Sequence, residues 1–454
     1  MILFKKIISI LVLIFSFYSS KSQEIDSSYL RYPNQFEQLQ MARGWNPEEI
    51  SKTLEKYKRN NINSNQDFAQ LLGRYYSSYR NIAILLYFYD NGTLRRILFE
   101  PGAVMEEKII KISKDSLYEL TDNLSQALNI QKLTADRSPK HRGVNITNSD
   151  TTKKYDLNNI IQKLTSILIP AHFSPAYQHL VIIPCLNIGS IPFHLLRPYN
   201  TDDYLIDKCS FTVAPTLLDF VFLRSKRLLN PGKYRVIDGQ DSIGFSLENP
   251  LFICNPLYPE DTEYYFPDLP GAESEINNAL SHANTRCTVL RGKGAIKDSV
   301  MKHLNGSDFA YFATHGVSDV KNPMSNSFLV LSGSNPFLTS KEIQDLRLQD
   351  KFVAPEMVIL SACQTGLGKS MDAGLAGSLA RSFILSGSDY IIESLWNVDD
   401  KATSYLMSRF MYYVTERYTT YFPSGALRLA ILDTKKEYPN PLYWASFSAF
   451  GTNL

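Results

Sequence analysis

The sequence predicts an α/β protein built on a mainly parallel sheet. Two observations carry the prediction. From residue 250 onward, short apolar runs alternate with stretches of helical length, the pattern of strand–helix–strand crossovers. The composition, 44% hydrophobic and only 20% charged, is enough to bury a large core and excludes disorder as the overall state. With 454 residues, the length suggests two or three units at about 150 residues each.

Taken in order, residues 24–78 read as polar helices, one starting at Pro47-Glu48-Glu49 after Asn46. No repeat of about 34 residues emerges, so a tetratricopeptide array is not predicted. Two apolar runs, 82–89 and 94–99, flank Asp90-Asn91-Gly92 and predict a hairpin, since Asn-Gly suits a type I′ turn. A helix over 113–128 and a turn-rich loop over 132–152 follow. Leu180-Val181-Ile182-Ile183-Pro184 reads as a buried strand, the apolar segment 188–193 comes next, and 210–213 is strand-like. The Pro-Gly and Gly-Gln-Asp punctuation of 230–244 marks the boundary between two halves. Beyond it, strands are expected at 251–254, 287–290, 309–313, 357–360 and 390–394. Helices are expected at 271–282, 295–304, 340–346, 375–385, 402–418 and 424–437, the last two closing the chain.

Charge and cysteine usage narrow the function classes. Lys+Arg number 47 against 45 Asp+Glu, a formal charge of +2 that offers no field to gather a polyanion, so nucleic acid is not expected as a partner. The five cysteines (Cys185, Cys209, Cys254, Cys287, Cys363) form no C-x-x-C pair, which removes zinc and thioredoxin-like readings. An odd number leaves at least one free or paired between chains. At the N-terminus, Lys5 and Lys6 precede the apolar run 7–18 and a small polar stretch ending at Ser22. That is the layout of a secretory signal, so export is expected; the alternative is an uncleaved membrane anchor.

Ligands of open α/β sheets bind at the carboxyl ends of strands. Two reactive residues stand there. Thr314-His315-Gly316 follows the strand 309–313, and Ser361-Ala362-Cys363 follows 357–360. Glycines come next in each case, letting the backbone turn and approach a substrate closely. Alone, Cys363 reads as a small buried residue and His315 as a satisfied loop histidine. Together, in equivalent positions, they read as a thiol nucleophile and the imidazole that activates it. The backbone N–H groups of Gly316 and Cys363 are candidate oxyanion donors. Gly368-Lys369-Ser370 imitates the end of a phosphate-binding loop, but the first glycine of that pattern falls on Cys363, so nucleotide is not expected.

These segments resemble the CHAT family of caspase-like cysteine peptidases, in the broad clan of caspases, separase and gingipains. The resemblance rests on Tyr311-Phe312-Ala313-Thr314-His315-Gly316 and on Val358-Ile359-Leu360-Ser361-Ala362-Cys363-Gln364-Thr365-Gly366. It extends to Leu269-Pro270-Gly271-Ala272-Glu273, to Ser394-Leu395-Trp396-Asn397-Val398-Asp399-Asp400 and to Tyr443-Trp444-Ala445-Ser446-Phe447. It implies a caspase-like sheet with helices on both faces, an inactive half followed by an active one. It also implies His315 as general acid/base, Cys363 as nucleophile, and oxyanion donors at Gly316 and Cys363.

Clan members that hold a basic P1 side chain do so with an acidic pocket residue, for which Asp400 is the preferred candidate and Asp399 the second. Either also reads as a helix N-cap. Glu393, where the family has a small or neutral residue, reads as added pocket charge or as the partner of a surface lysine. Asp319 reads as an orienting group for His315 or a turn cap, and Cys185 as packing.

The expected organisation is a signal at 1–22, a helical segment at 23–79, an inactive half at 80–240 and a catalytic half at 241–454. The expected function is an exported cysteine endopeptidase acting through a thioester on protein or peptide substrates, without metal or cofactor. The alternative is a catalytically silent binding or scaffold module on the same fold. An activating partner fits a latent form in which residues 317–335 cover the site.

Overall fold

The computed structural model describes residues 65–76, 81–128, 130, 155–217, 219–220, 223–224, 247–260, 262, 264, 266–282, 287–318, 323–349, 351–363, 378–396, 400–415 and 422–452. The signal, the helix start at Pro47, the 132–152 loop and the 230–244 boundary lie outside them.

The first described helix, α1 (Asn65–Tyr75), buries Phe68, Leu71, Leu72 and Tyr75 along one face. The hairpin β1 (Ile82–Asp90) and β2 (Thr93–Glu100) forms where the apolar runs place it. Its turn has φ of 44° at Asn91 and 80° at Gly92, the two left-handed positions for which Asn-Gly is suited. A third antiparallel strand, β3 (Ala103–Lys111), was not expected; its mixed charges, with Met105 and Ile109 exposed, hide the period-two pattern.

Ser113 caps α2 (Lys114–Ala127), and Asp156 caps α3 (Leu157–Leu168) by accepting from the N–H groups of Asn158 and Asn159. Strand β4 (His179–Ile183) follows. The segment 188–193 then makes two 3₁₀ turns, Ile188–Ser190 and Phe193–Leu195, before α4 (Leu205–Lys208) and β5 (Ser210–Val213).

The alternation beyond residue 250 is realised as β6 (Pro250–Pro256), α5 (Pro270–His282), β7 (Thr288–Gly292), α6 (Lys297–Leu304) and β8 (Phe309–Val317). After β8 a short excursion, α7 (Pro323–Asn326), β9 (Phe328–Val330), β10 (Phe337–Thr339) and α8 (Ser340–Asp345), leads to β11 (Met357–Cys363). Then come α9 (Leu379–Ser386), β12 (Tyr390–Ser394), α10 (Asp400–Thr415), α11 (Pro423–Glu437), α12 (Pro441–Trp444) and β13 (Phe447–Gly451).

Three expectations are corrected here. Strand β8 runs past residue 313 because β9 supplies partners for its tip, Gly316 to Leu329 and Val317 to Phe328. Strand β11 runs past 360 because the longer β8 pairs it as far as Cys363. The two long helices do not close the chain: β13 follows, and its Gly451, at φ 130°, lies so close to the Asp389 carbonyl that a Cβ there would be 2.4 Å from the oxygen.

All thirteen strands join one sheet. Its main path is β7-β6-β8-β11-β12-β13-β5-β4-β1-β2-β3, with β9 and β10 continuing from the tip of β8. The strands β7, β6, β8, β11 and β12 are mutually parallel, and β13 is antiparallel to β12 but parallel to β5. The two parallel groups therefore run in opposite directions, and their carboxyl ends lie at opposite edges.

Helices cover both faces. Tyr311 of β8 donates to Glu275 of α5 on one face, and Phe312 packs in a tilted arrangement against Phe383 of α9 on the other. The groups are locked together by a buried bidentate pair, in which Arg381 of α9 donates to both carboxylate oxygens of Asp219, at 2.6 and 3.0 Å. No helix among the described residues is long and apolar enough to cross a membrane.

Candidate active site

The carboxyl ends of β6, β8 and β11 form one stretch of the sheet's rim. There His315 of β8 and Cys363 of β11 are register partners in adjacent parallel strands. That pairing places the two backbones about 5 Å apart. On β8, Tyr311 and Ala313 alternate onto the same face as His315, the one covered by α5.

The imidazole of His315 is half-buried and fixed from one side. The segment after β6 returns over the sheet, and the Pro267 carbonyl sits 2.7 Å from Nε2. A carbonyl oxygen only accepts, so Nε2 carries the proton and donates it, which makes Nδ1 the basic nitrogen of the neutral ring. Two aromatic rings from the same segment hold the imidazole plane: Tyr258 edge-on at 4.7 Å between centroids and Phe266 tilted at 5.5 Å.

Beneath it, Thr314 is fully buried and donates to the Val330 carbonyl at 2.6 Å, tying the tip of β8 to β9. The Tyr258 hydroxyl donates in turn to Thr314, and burial pushes that phenol well above the usual range. Tyr264, Phe266, Phe328 and Phe337 extend this into an aromatic cluster. The histidine thus stands on a rigid support, with one nitrogen assigned to holding it there.

Residues 158–452 match the CHAT domain family. The chain belongs to the CHAT domain family. Solved structures of separase share the fold. Separase, in two crystal structures of the Saccharomyces cerevisiae separase–securin complex, aligns with TM-scores of 0.55 and 0.54 at 15% and 14% identity. The alignments cover 85% and 90% of this chain but 31% and 33% of separase, so the chain spans about a third of that relative's length. Gingipain R (RgpB, of Porphyromonas gingivalis) aligns at 11% identity over 75% of each chain, with a TM-score of 0.42. No curated protein matches the sequence. The fold is caspase-like α/β, a mostly parallel sheet with helices.

Within this CHAT domain, the other predicted residues separate by location. Gly316 adjoins His315 within β8 and is the register partner of Leu329. Asp400 is the first residue of α10, on the segment that leaves β12 after the buried Trp396. Asp399 and Asp319 lie outside the described residues.

Glu393 is not at the surface: it is 1% exposed in β12, level with Leu360 of β11 and Phe312 of β8, on the face that α9 covers. The register sets Glu393 on the face opposite His315, with its side chain inside the protein. Cys185 follows β4 at the opposite edge and is buried in the main core. Burial lifts the Cys254 thiol to about 12 and Cys209 higher still, which leaves both as weakly reactive packing residues. Among the described residues no group of three or more His, Cys, Asp or Glu is arranged to hold a metal ion.

The Pro267 carbonyl and the rings of Tyr258 and Phe266 were missed by sequence reasoning. A backbone acceptor has no residue-type signature. The aromatic density of 258–266 was the available signal, and it pointed equally to a core segment.

Proposed function

We propose that the protein is an exported cysteine endopeptidase that hydrolyses peptide bonds with Cys363 as nucleophile and His315 as general acid/base. The observation that carries this reading is the register pairing of His315 with Cys363, with Nε2 already committed to the Pro267 carbonyl. His315 Nδ1 takes the thiol proton, and sulfur attacks the scissile carbonyl carbon. The resulting oxyanion is stabilised by the backbone N–H groups of Gly316 and Cys363. Collapse breaks the C–N bond, and the imidazolium gives its proton to the departing amine. A water molecule, deprotonated by the imidazole, then cleaves the thioester and regenerates the thiol.

The P1 residue is basic in this proposal, recognised by Asp400 with Asp399 beside it in sequence. Residues 1–22 direct export, and a protein partner or cleavage near 317–335 controls access. Separase, the structural relative, is itself found bound to securin.

A panel of fluorogenic peptides tests the reading. Cleavage after Arg or Lys is expected, lost in Cys363→Ala and reduced at least about 100-fold in His315→Ala. Mass spectrometry after acyloxymethyl ketone treatment should find the adduct on Cys363. Cleavage that survives Cys363→Ala refutes the mechanism, and a chain that neither cleaves nor takes the label, before or after limited proteolysis, is a binding module on this fold.

A further inference from the structure

Strand β6 does not end regularly. Its pairing with β7 slips between Cys254 and Pro256, so Asn255 is a bulge residue, and its φ is 40°, a left-handed conformation that asparagine tolerates better than most. From that position its amide reaches the returning segment twice. Oδ1 accepts from the Leu269 N–H at 3.0 Å, and Nδ2 donates to the Asp268 carboxylate at 2.8 Å. The residue immediately before these two contacts is Pro267, whose carbonyl receives the His315 Nε2–H. A bulge beside a reactive rim is a recurrent device for aiming a side chain, and here the aimed side chain is an amide that binds backbone.

We infer that Asn255 is a positioning residue: by holding residues 268 and 269, it fixes the Pro267 carbonyl and through it the tautomer and orientation of His315. This deepens the peptidase reading and rests on it. Nothing else in the described contacts of Asn255 accounts for a left-handed asparagine at this place, and an apolar residue here would leave the Leu269 N–H without this acceptor.

The test uses the full chain. Asn255→Gly keeps the left-handed backbone and removes both side-chain bonds. With selective ¹⁵N labelling of the histidines in a Cys363→Ala background, the expected His315 signal is the Nε2–H tautomer. Asn255→Gly should convert it to a mixture of tautomers. In the active chain, the same change should lower kcat about tenfold or more with little effect on KM. It should also shift the acidic limb of the kcat/KM profile. Asn255→Asp combined with Asp268→Asn reverses donor and acceptor between the two side chains and should restore both readouts.

A tautomer and a pH profile unchanged by Asn255→Gly overturn the inference, as does failure of the reversed pair to rescue while its melting temperature matches wild type. A wild-type protein that neither cleaves peptide nor takes the label, before or after limited proteolysis, yet has its tautomer released by Asn255→Gly, sinks the peptidase reading and leaves the positioning role standing.

Discussion

At the residue scale, the buried pair of Asp219 and Arg381 shows how a single contact carries disproportionate weight. Both side chains are 2% exposed, and Thr216 adds a third hydrogen bond to the carboxylate. Arg381→Met leaves that carboxylate buried without its charge partner, which costs about 3–5 kcal/mol. Urea unfolding should show the loss, and Asp219→Leu together with Arg381→Met should recover most of it. A mutant that unfolds at the wild-type midpoint would show the pair to be inert. Glycines give a sharper contrast. Gly92→Ala meets no atom within 4 Å and pays only for its positive φ, about 1 kcal/mol. Gly451→Ala would drive a methyl group into the Asp389 carbonyl, and its melting temperature should fall far more.

At the scale of elements, the parallel strands were legible and the antiparallel ones mostly were not. Strands β6, β8, β11 and β12 are covered on both faces, so their sequences are continuous apolar runs between helices. Strands β9 and β10 are three residues long, too short to display a period. The five-residue β13, Phe-Ser-Ala-Phe-Gly, is buried throughout, with serine facing a packed interior.

The site was half legible for a related reason. His315 and Cys363 announce themselves by residue type at strand ends. What orients the imidazole is a carbonyl, positioned by a bulge that only the fold displays. Thr314→Val tests how far β8 depends on its tether. It preserves the shape of the side chain but removes the bond to Val330 and the acceptor of the Tyr258 hydroxyl. A loss of about 1–3 kcal/mol is expected by thermal or chemical unfolding.

At the scale of the whole molecule, two buried histidines make stability depend on pH. His179 touches Ser210, Thr212 and Ser424, so it lies where α11 packs on the first parallel group. His194 is bonded to the backbone at Phe447 of β13. Burial holds both at about 3, well below the ordinary 6.5. Above pH 6.5 neither state binds the proton and the contribution is complete. Between pH 6.5 and 3 the unfolded chain binds protons that the folded chain refuses, so stability falls as pH falls, by up to about 1.4 kcal/mol per pH unit for each histidine. Urea midpoints at pH 7, 5.5 and 4.5 should trace that slope, and His194→Phe should flatten it. A midpoint constant across this range would contradict the assignment.

Strand β13 also imposes an order in time. It is the link between two oppositely directed groups, through Phe450 beside Val213 on one flank and five paired residues of β12 on the other. Every other described strand precedes it in the chain. During synthesis, then, the first group emerges, the second follows with its histidine and cysteine, and the sheet between them stays open until residues 447–451 have left the ribosome. The polymer's own direction thereby acts as a clock, delaying closure of the sheet until translation has passed residue 451.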